Sequence, residues 1–160
     1  MEVTIDDLEL TPDYTDAEKA LILGALNLAP GPNAAAALME SVGTAMFAGL
    51  PLNVLLHALA EKESTFRPAV IGHERDGSLA YGLFQFHQPT AIPILAKIGH
   101  TWDEFLASVD VQVVTVIELL NQDLKRSKGD VKGAFRQFGA HTRKVMYPII
   151  DYLQKKQVQE

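Results

Sequence analysis

PLNVLLHALAEKESTFRP, residues 51–68, opens on a proline and closes on one, and the segment between them decides the reading of the whole chain. Pro51 suits the first turn of a helix, where a missing N–H costs nothing. Pro68 marks the far side of its end, because the residue before a proline is pushed toward extended backbone. At about 100° per residue, Leu52, Leu56, Leu59 and Glu63 fall within roughly 60° of one another, with Leu55 alongside. Glu61 falls about 180° from Leu52, so Glu61 and Lys62 read as solvent-facing. Glu63 instead prolongs the apolar stripe, near the end of a helix that closes by Thr65. A carboxyl group there loses water, and the negative end of the helix dipole pushes the same way; both favour the protonated form. A carboxylic acid that keeps its proton near neutral pH can donate it. The residues alone equally allow Glu63 to pair with a nearby arginine or to cap a backbone group.

Outward from this helix the chain reads as mainly α. Thr15 with Glu18 makes a capping box for a helix running to about Asn27, stopped by APGP. Asn33 caps a second helix, expected to reach Ala48. Beyond the central helix, residues 66–80 read as loop, punctuated by Pro68, Gly72 and Gly77. YGLFQF, residues 81–86, is a short segment before Pro89 opens another helix. Thr101 and Glu104 form a second capping box. A long amphipathic helix covers roughly 110–126 and stops at Gly129, and two more, 131–138 and 142–155, finish the chain. The period-two alternation of a sheet is nearly absent. Residues 1–14 read as an extended or poorly ordered arm, and 15–160 as one domain without repeats or linkers.

Composition narrows the class. A chain of 160 residues, 48% of them hydrophobic, buries a core without staples. A net charge of −6 offers no basic footprint for nucleic acid and no attraction to an anionic membrane. With no cysteine there is no disulfide framework and no thiolate chemistry. Residues 34–60 are apolar, but Glu40, Gly49, Pro51, Asn53 and His57 interrupt them, so they read as buried helices rather than a membrane span. MEVTIDDLELTPDYTD, the acidic start, lacks the basic and apolar parts of a signal peptide. His57 and Glu61 stand at i, i+4, a spacing that can bind metal, but no third ligand is in view. No metal and no cofactor is therefore expected. Lys125, Arg126 and Lys128 read as a solvated helix end.

The set ESTFRP at 63–68, YGLFQF at 81–86 and PTA at 89–91 resembles the lysozyme-like lytic transglycosylases and the goose-type lysozymes. Those families show a Glu-Ser pair closing a helix, then Phe-x-Pro, then Gly-Leu-x-Gln before a helix with Thr-Ala near its start. The resemblance covers about residues 50–155. It implies a lysozyme-like, multi-helix single domain with a short irregular or minimal β segment beside an active-site cleft. It implies that Glu63 is the general acid that protonates the glycosidic oxygen between N-acetylmuramic acid and N-acetylglucosamine in bacterial peptidoglycan. It further implies that Gly82 lets the chain pass close to the sugar and that Gln85 lines the cleft, with Ser64 and Tyr81 in the same substrate-binding set. Gly82 is equally readable as a turn glycine, Gln85 as a surface amide, and Trp102 as core or as a sugar-stacking platform.

Spacing distinguishes the two families. Gly82 follows Glu63 by nineteen positions, a loop length that looks like the goose-type enzymes. These carry one Asp in the loop and another just after the Gln. Asp76 stands at the first position and His87 at the second. A hydrolase that inverts needs a second carboxylate to activate water, about 6.5–9.5 Å from the acid. Asp76 is the candidate base and His87 its candidate assistant, though Asp76 in ERDGS is also a good turn residue. A lytic transglycosylase needs no such base, because the muramic 6-hydroxyl closes an anhydro ring. Late in the chain these families show Ala-Tyr-Asn-x-Gly. Here the ungapped match sets Phe138 at the Tyr, as a cleft ring without a hydroxyl, and Gly139 at the Asn; a shifted one sets Gln137 there. The expectation is a muramidase delivered to the wall by a phage particle or released at lysis, with virion or tail proteins as partners. The rival is a phage structural component of the same fold that grips glycan without cutting it.

Overall fold

The computed structural model describes residues 2–159 and is mainly helical. The central helix, α3 (Leu52–Ser64), is buried without interruption from Val54 to Ala60. It packs against α1 (Asp16–Leu26), α2 (Asn33–Val42) and α7 (Ala140–Gln159). A helix that is buried on all sides runs through a core rather than along its edge. The expected stripe is therefore too narrow, and Glu61 and Lys62 are half-buried rather than solvent-facing. Around it, α6 (Val109–Arg126) packs on α2, on α4 (Gln88–Ile98) and on α5 (Trp102–Ala107). Both capping boxes form, Thr15 with Glu18 and Thr101 with Glu104. Trp102 stacks on Phe105 at 5.0 Å and meets Tyr81 edge-on, so it belongs to the core.

The departures lie where the chain turns. Helix α2 ends at Val42, not Ala48, because Gly43 takes φ 58°. Residues 46–51 form a hairpin, β1 (Met46–Phe47) against β2 (Leu50–Pro51), with Phe47 opposite Leu50. Its two turn residues, Ala48 and Gly49, both have positive φ, 51° and 78°. That is the backbone of a tight hairpin turn, usually built from Asn-Gly. The stretch expected as loop holds β3 (Ile71–His73) and β4 (Leu79–Tyr81), and β5 (Phe86–His87) completes a three-stranded antiparallel sheet. Of the expected helix 131–138 only a 3-10 turn, Lys132–Phe135, forms. The N-terminal arm is fastened rather than loose. Val3 exchanges two hydrogen bonds with the Asn27 side chain, at 2.7 and 2.9 Å, and the Tyr14 hydroxyl donates to the Lys144 carbonyl at 2.8 Å.

Candidate active site

The last turn of α3 aims Glu63. Thr65 and Phe66 both adopt left-handed backbone, φ 54° and 58°, and turn the chain sharply away. Thr65 N–H donates to the Glu61 carbonyl at 3.0 Å, and Phe66 N–H to that of Ala60 at 3.3 Å, so the closing carbonyls are satisfied. Ser64 is buried beneath them. Its hydroxyl donates to the Ala60 carbonyl at 3.0 Å and accepts from Arg67 N–H at 3.1 Å, while Arg67 Nε donates to the Ser64 carbonyl at 2.8 Å. Ser64 thus braces the helix end and does not enter the cleft. Phe66 seals the opposite side, edge-on to His57 at 4.9 Å. The His57 ring binds the Ala29 carbonyl through Nε2 at 2.9 Å, and Glu61 lies 3.9 Å from Nδ1. Burial raises the Glu61 pKa, and the nearby His57 opposes that rise.

Glu63 opens into a cleft that it shares with Glu74, Gln85, His87, Gln137 and Phe138. Its Oε1 accepts a hydrogen bond of 2.6 Å from Thr142 Oγ1, on the first turn of α7. Desolvation is the largest influence on the Glu63 carboxyl and raises its pKa. The Thr142 bond and the charges of Lys62 and His87 pull it down, and the Glu74 charge pushes it up. The net direction is upward, toward a group that retains its proton.

Of the residues singled out from sequence, Gln85, His87, Gln137, Phe138 and Gly139 meet Glu63 here. Asp76 does not line this cleft. It sits exposed in the β3–β4 turn, where its Oδ1 accepts from Ser78 N–H at 2.9 Å and Ser78 Oγ at 2.6 Å. Those bonds lower its pKa. Tyr81 is turned away against Trp102. Gly82 is set back from the cleft, and its φ of 82° demands glycine. A Cβ there would lie 2.6–3.1 Å from the Gln112 amide. Gln112 is buried and fully used: Oε1 accepts from Leu83 N–H at 2.8 Å, and Nε2 donates to the Pro68 and Phe105 carbonyls, both at 3.0 Å. Gln85 has two duties, lining the cleft and donating from Nε2 to the Gly82 carbonyl at 3.0 Å.

Several contributors escaped the sequence reading. Glu74, to which the sequence assigned no role, is the second carboxylate of the cleft and stands 4.0 Å from His87 Nε2. Both are about half exposed, so the pair contributes little in open solvent. Asp123 is fully buried behind the cleft. It accepts from Arg126 Nη1 at 2.9 Å and from Gln137 Nε2 at 2.8 Å, with Arg136 Nε at 3.5 Å. Arg126 lies exposed with Lys125 and Lys128 at the end of α6, as expected of a solvated helix end, and its guanidinium also pairs with the buried Asp123. No local pattern announces Glu74 or Thr142. Gln137 alone had a signal, the shifted match to the family Asn.

Comparison with known proteins gives relatives and a family. Invasion protein IagB of Salmonella typhimurium, in strains SL1344 and LT2, and that of Salmonella typhi are each 35% identical to the chain over 74 residues. The aligned stretch is 44% of this chain and 44% of each relative, so less than half of their length is matched. No solved structure matches. The family model described as Transglycosylase SLT domain matches residues 49–142, from the β1–β2 turn through α3 and the cleft to Thr142, and the chain belongs to that family.

Proposed function

We propose that this chain cleaves the glycan strands of bacterial peptidoglycan by lytic transglycosylation, with Glu63 as acid and then as base. One observation carries the reading: Glu63 is a desolvated carboxyl that opens into a cleft and is held by a hydroxyl. In the first step the Glu63 proton passes to the glycosidic oxygen as the bond from muramic C1 breaks. In the second, the muramic 6-hydroxyl bonds to C1 and returns its proton to Glu63. Water is not consumed, and the product ends in an anhydro ring. Analysis of digested cell wall tests this directly. Anhydro ends with wild type and none with Glu63→Gln are expected; equal wall clearance by both proteins removes Glu63 from the chemistry.

A hydrolytic second reading is favoured by one observation, the presence of Glu74 beside His87 in the same cleft. Reducing ends in place of anhydro ends would support it. The glycan-binding component without activity draws on the missing Tyr hydroxyl at Phe138, and a wild-type zymogram without clearing would favour it. For delivery, the phage particle or release at lysis rests on the acidic, compact chain alone. The relatives' printed name, invasion protein, instead suggests a bacterial protein of invasion. Immunoblotting purified virions against envelope fractions separates the two.

A further inference from the structure

We propose that Thr142 is a positioning residue that decides which oxygen of Glu63 delivers the proton. The inference rests on the reading of Glu63 as the acid. Thr142 is 5% exposed, on a helix 79 positions away in sequence, and its Oγ1 lies 2.6 Å from Glu63 Oε1. No other hydrogen bond holds either carboxyl oxygen of Glu63 among the described residues.

A hydroxyl donates one hydrogen. With Glu63 neutral, two arrangements compete. If the acid proton sits on Oε1, it points at Oγ1, and the Thr142 hydrogen must find another acceptor in a buried site. If it sits on Oε2, Oε1 is a carbonyl oxygen that accepts from Thr142, and both groups are satisfied. The second arrangement wins because a buried donor left without a partner is costly. Oε2 therefore carries the proton that goes to the glycosidic oxygen. When Glu63 is ionised, the same bond keeps Oε1 occupied and leaves Oε2 to take the proton of the 6-hydroxyl. One oxygen gives and receives, and the carboxyl plane does not rotate between the two steps.

This also accounts for a departure from the family pattern. Phe138 stands where the family has a tyrosine whose hydroxyl would orient the acid, and Phe138 has none to offer. Thr142, one turn further along, supplies a hydroxyl from a different position. The charged and titratable groups that face Glu63 are Lys62, Glu74 and His87, on α3, the β3–β4 turn and β5. None of them makes a hydrogen bond to it.

The test compares wild type, Thr142→Val, Thr142→Ser and Glu63→Gln on a soluble glycan strand. Thr142→Val keeps the shape and removes the hydroxyl. It is expected to lower kcat about 10- to 100-fold, the worth of a hydrogen bond to an ionisable group, with KM within about 3-fold. Thr142→Ser should recover most of the loss. Carbon NMR of the Glu63 carboxyl supplies a readout apart from activity. Loss of a bond that favours the carboxylate should move its titration upward in Thr142→Val and not in Thr142→Ser. If Glu63→Gln is inactive while Thr142→Val keeps wild-type kcat and titration, the proposal is overturned and the reading of Glu63 survives. If Glu63→Gln is as active as wild type, both fall. If Thr142→Val does not fold, Thr142→Ser decides: an unshifted titration and near-normal kcat support the proposal, and a large loss overturns it.

Discussion

Replacing Gly82 by alanine should cost stability, not substrate affinity. The residue holds φ 82°, where an L side chain costs about 1–2 kcal/mol. The added Cβ would lie 2.6 and 2.9 Å from Oε1 and Cδ of Gln112, closer than real Cβ contacts allow, and 3.1 Å from Nε2. Gln112 is 1% exposed and cannot swing into solvent without releasing Leu83 N–H and the Pro68 and Phe105 carbonyls. Leaving even one of these buried groups unpaired costs about 1–3 kcal/mol. The expected loss is therefore roughly 2–5 kcal/mol, a large share of the about 5–15 kcal/mol that holds a typical domain together. Urea denaturation followed by far-UV circular dichroism measures it. Gln112→Ala should cost a similar amount, and the double variant less than the sum, because both changes release the same bonds. A Gly82→Ala protein within about 1 kcal/mol of wild type, but with KM raised several-fold, would refute this reasoning. It would return Gly82 to a place against the sugar.

Three further outcomes are expected. Burial raises the Glu63 pKa above its ordinary 4.5, so Glu63 favours the folded state at low pH and loses that contribution as pH rises through its folded pKa. Glu63→Gln, which does not titrate, should therefore gain stability relative to wild type from about pH 4.5 upward; a difference that is flat or falls with pH contradicts the assigned desolvation. Asp76→Asn should keep glycan cleavage within about 3-fold of wild type, since its carboxylate serves the Ser78 turn; a loss of a hundredfold in kcat would bring Asp76 into the chemistry. Ala48→Gly should raise stability by up to about 1 kcal/mol, because Ala48 holds φ 51° at little benefit; a fall in Tm would show that the methyl packs usefully.

The helices were legible because their signals are local. A threonine and a glutamate three residues apart name a helix start whatever the rest of the chain does, and both such pairs cap helices here. The hairpins were not legible, for a physical reason. Strands of two or three residues contain no period to detect, and Ala48 hides a turn that asparagine would have announced. The 131–138 stretch has helical composition. It is packed tightly against α6 and α7, and only a 3-10 turn forms between Lys132 and Phe135. Intrinsic preference is a weak prior against such packing.

The site was half legible, and the missing half turns on tertiary distance. The wheel picked out Glu63, but through a stripe that the buried helix does not have. What distinguishes Glu63 is that α3 leaves the core there, braced by Ser64 and turned away by Thr65 and Phe66. Counting positions favoured Asp76 over Glu74, because a count cannot see which side of a tight turn a carboxylate occupies. The same limit governs the altered third motif. Read by position, Phe138 removes a hydroxyl from beside Glu63 and argues against activity. Read in space, Glu63 has a hydroxyl at 2.6 Å, from a residue 79 positions distant that no motif includes. A departure from a pattern counts against function only if the group it removes is not supplied from elsewhere, and here Thr142 sets a hydroxyl against the Glu63 carboxyl.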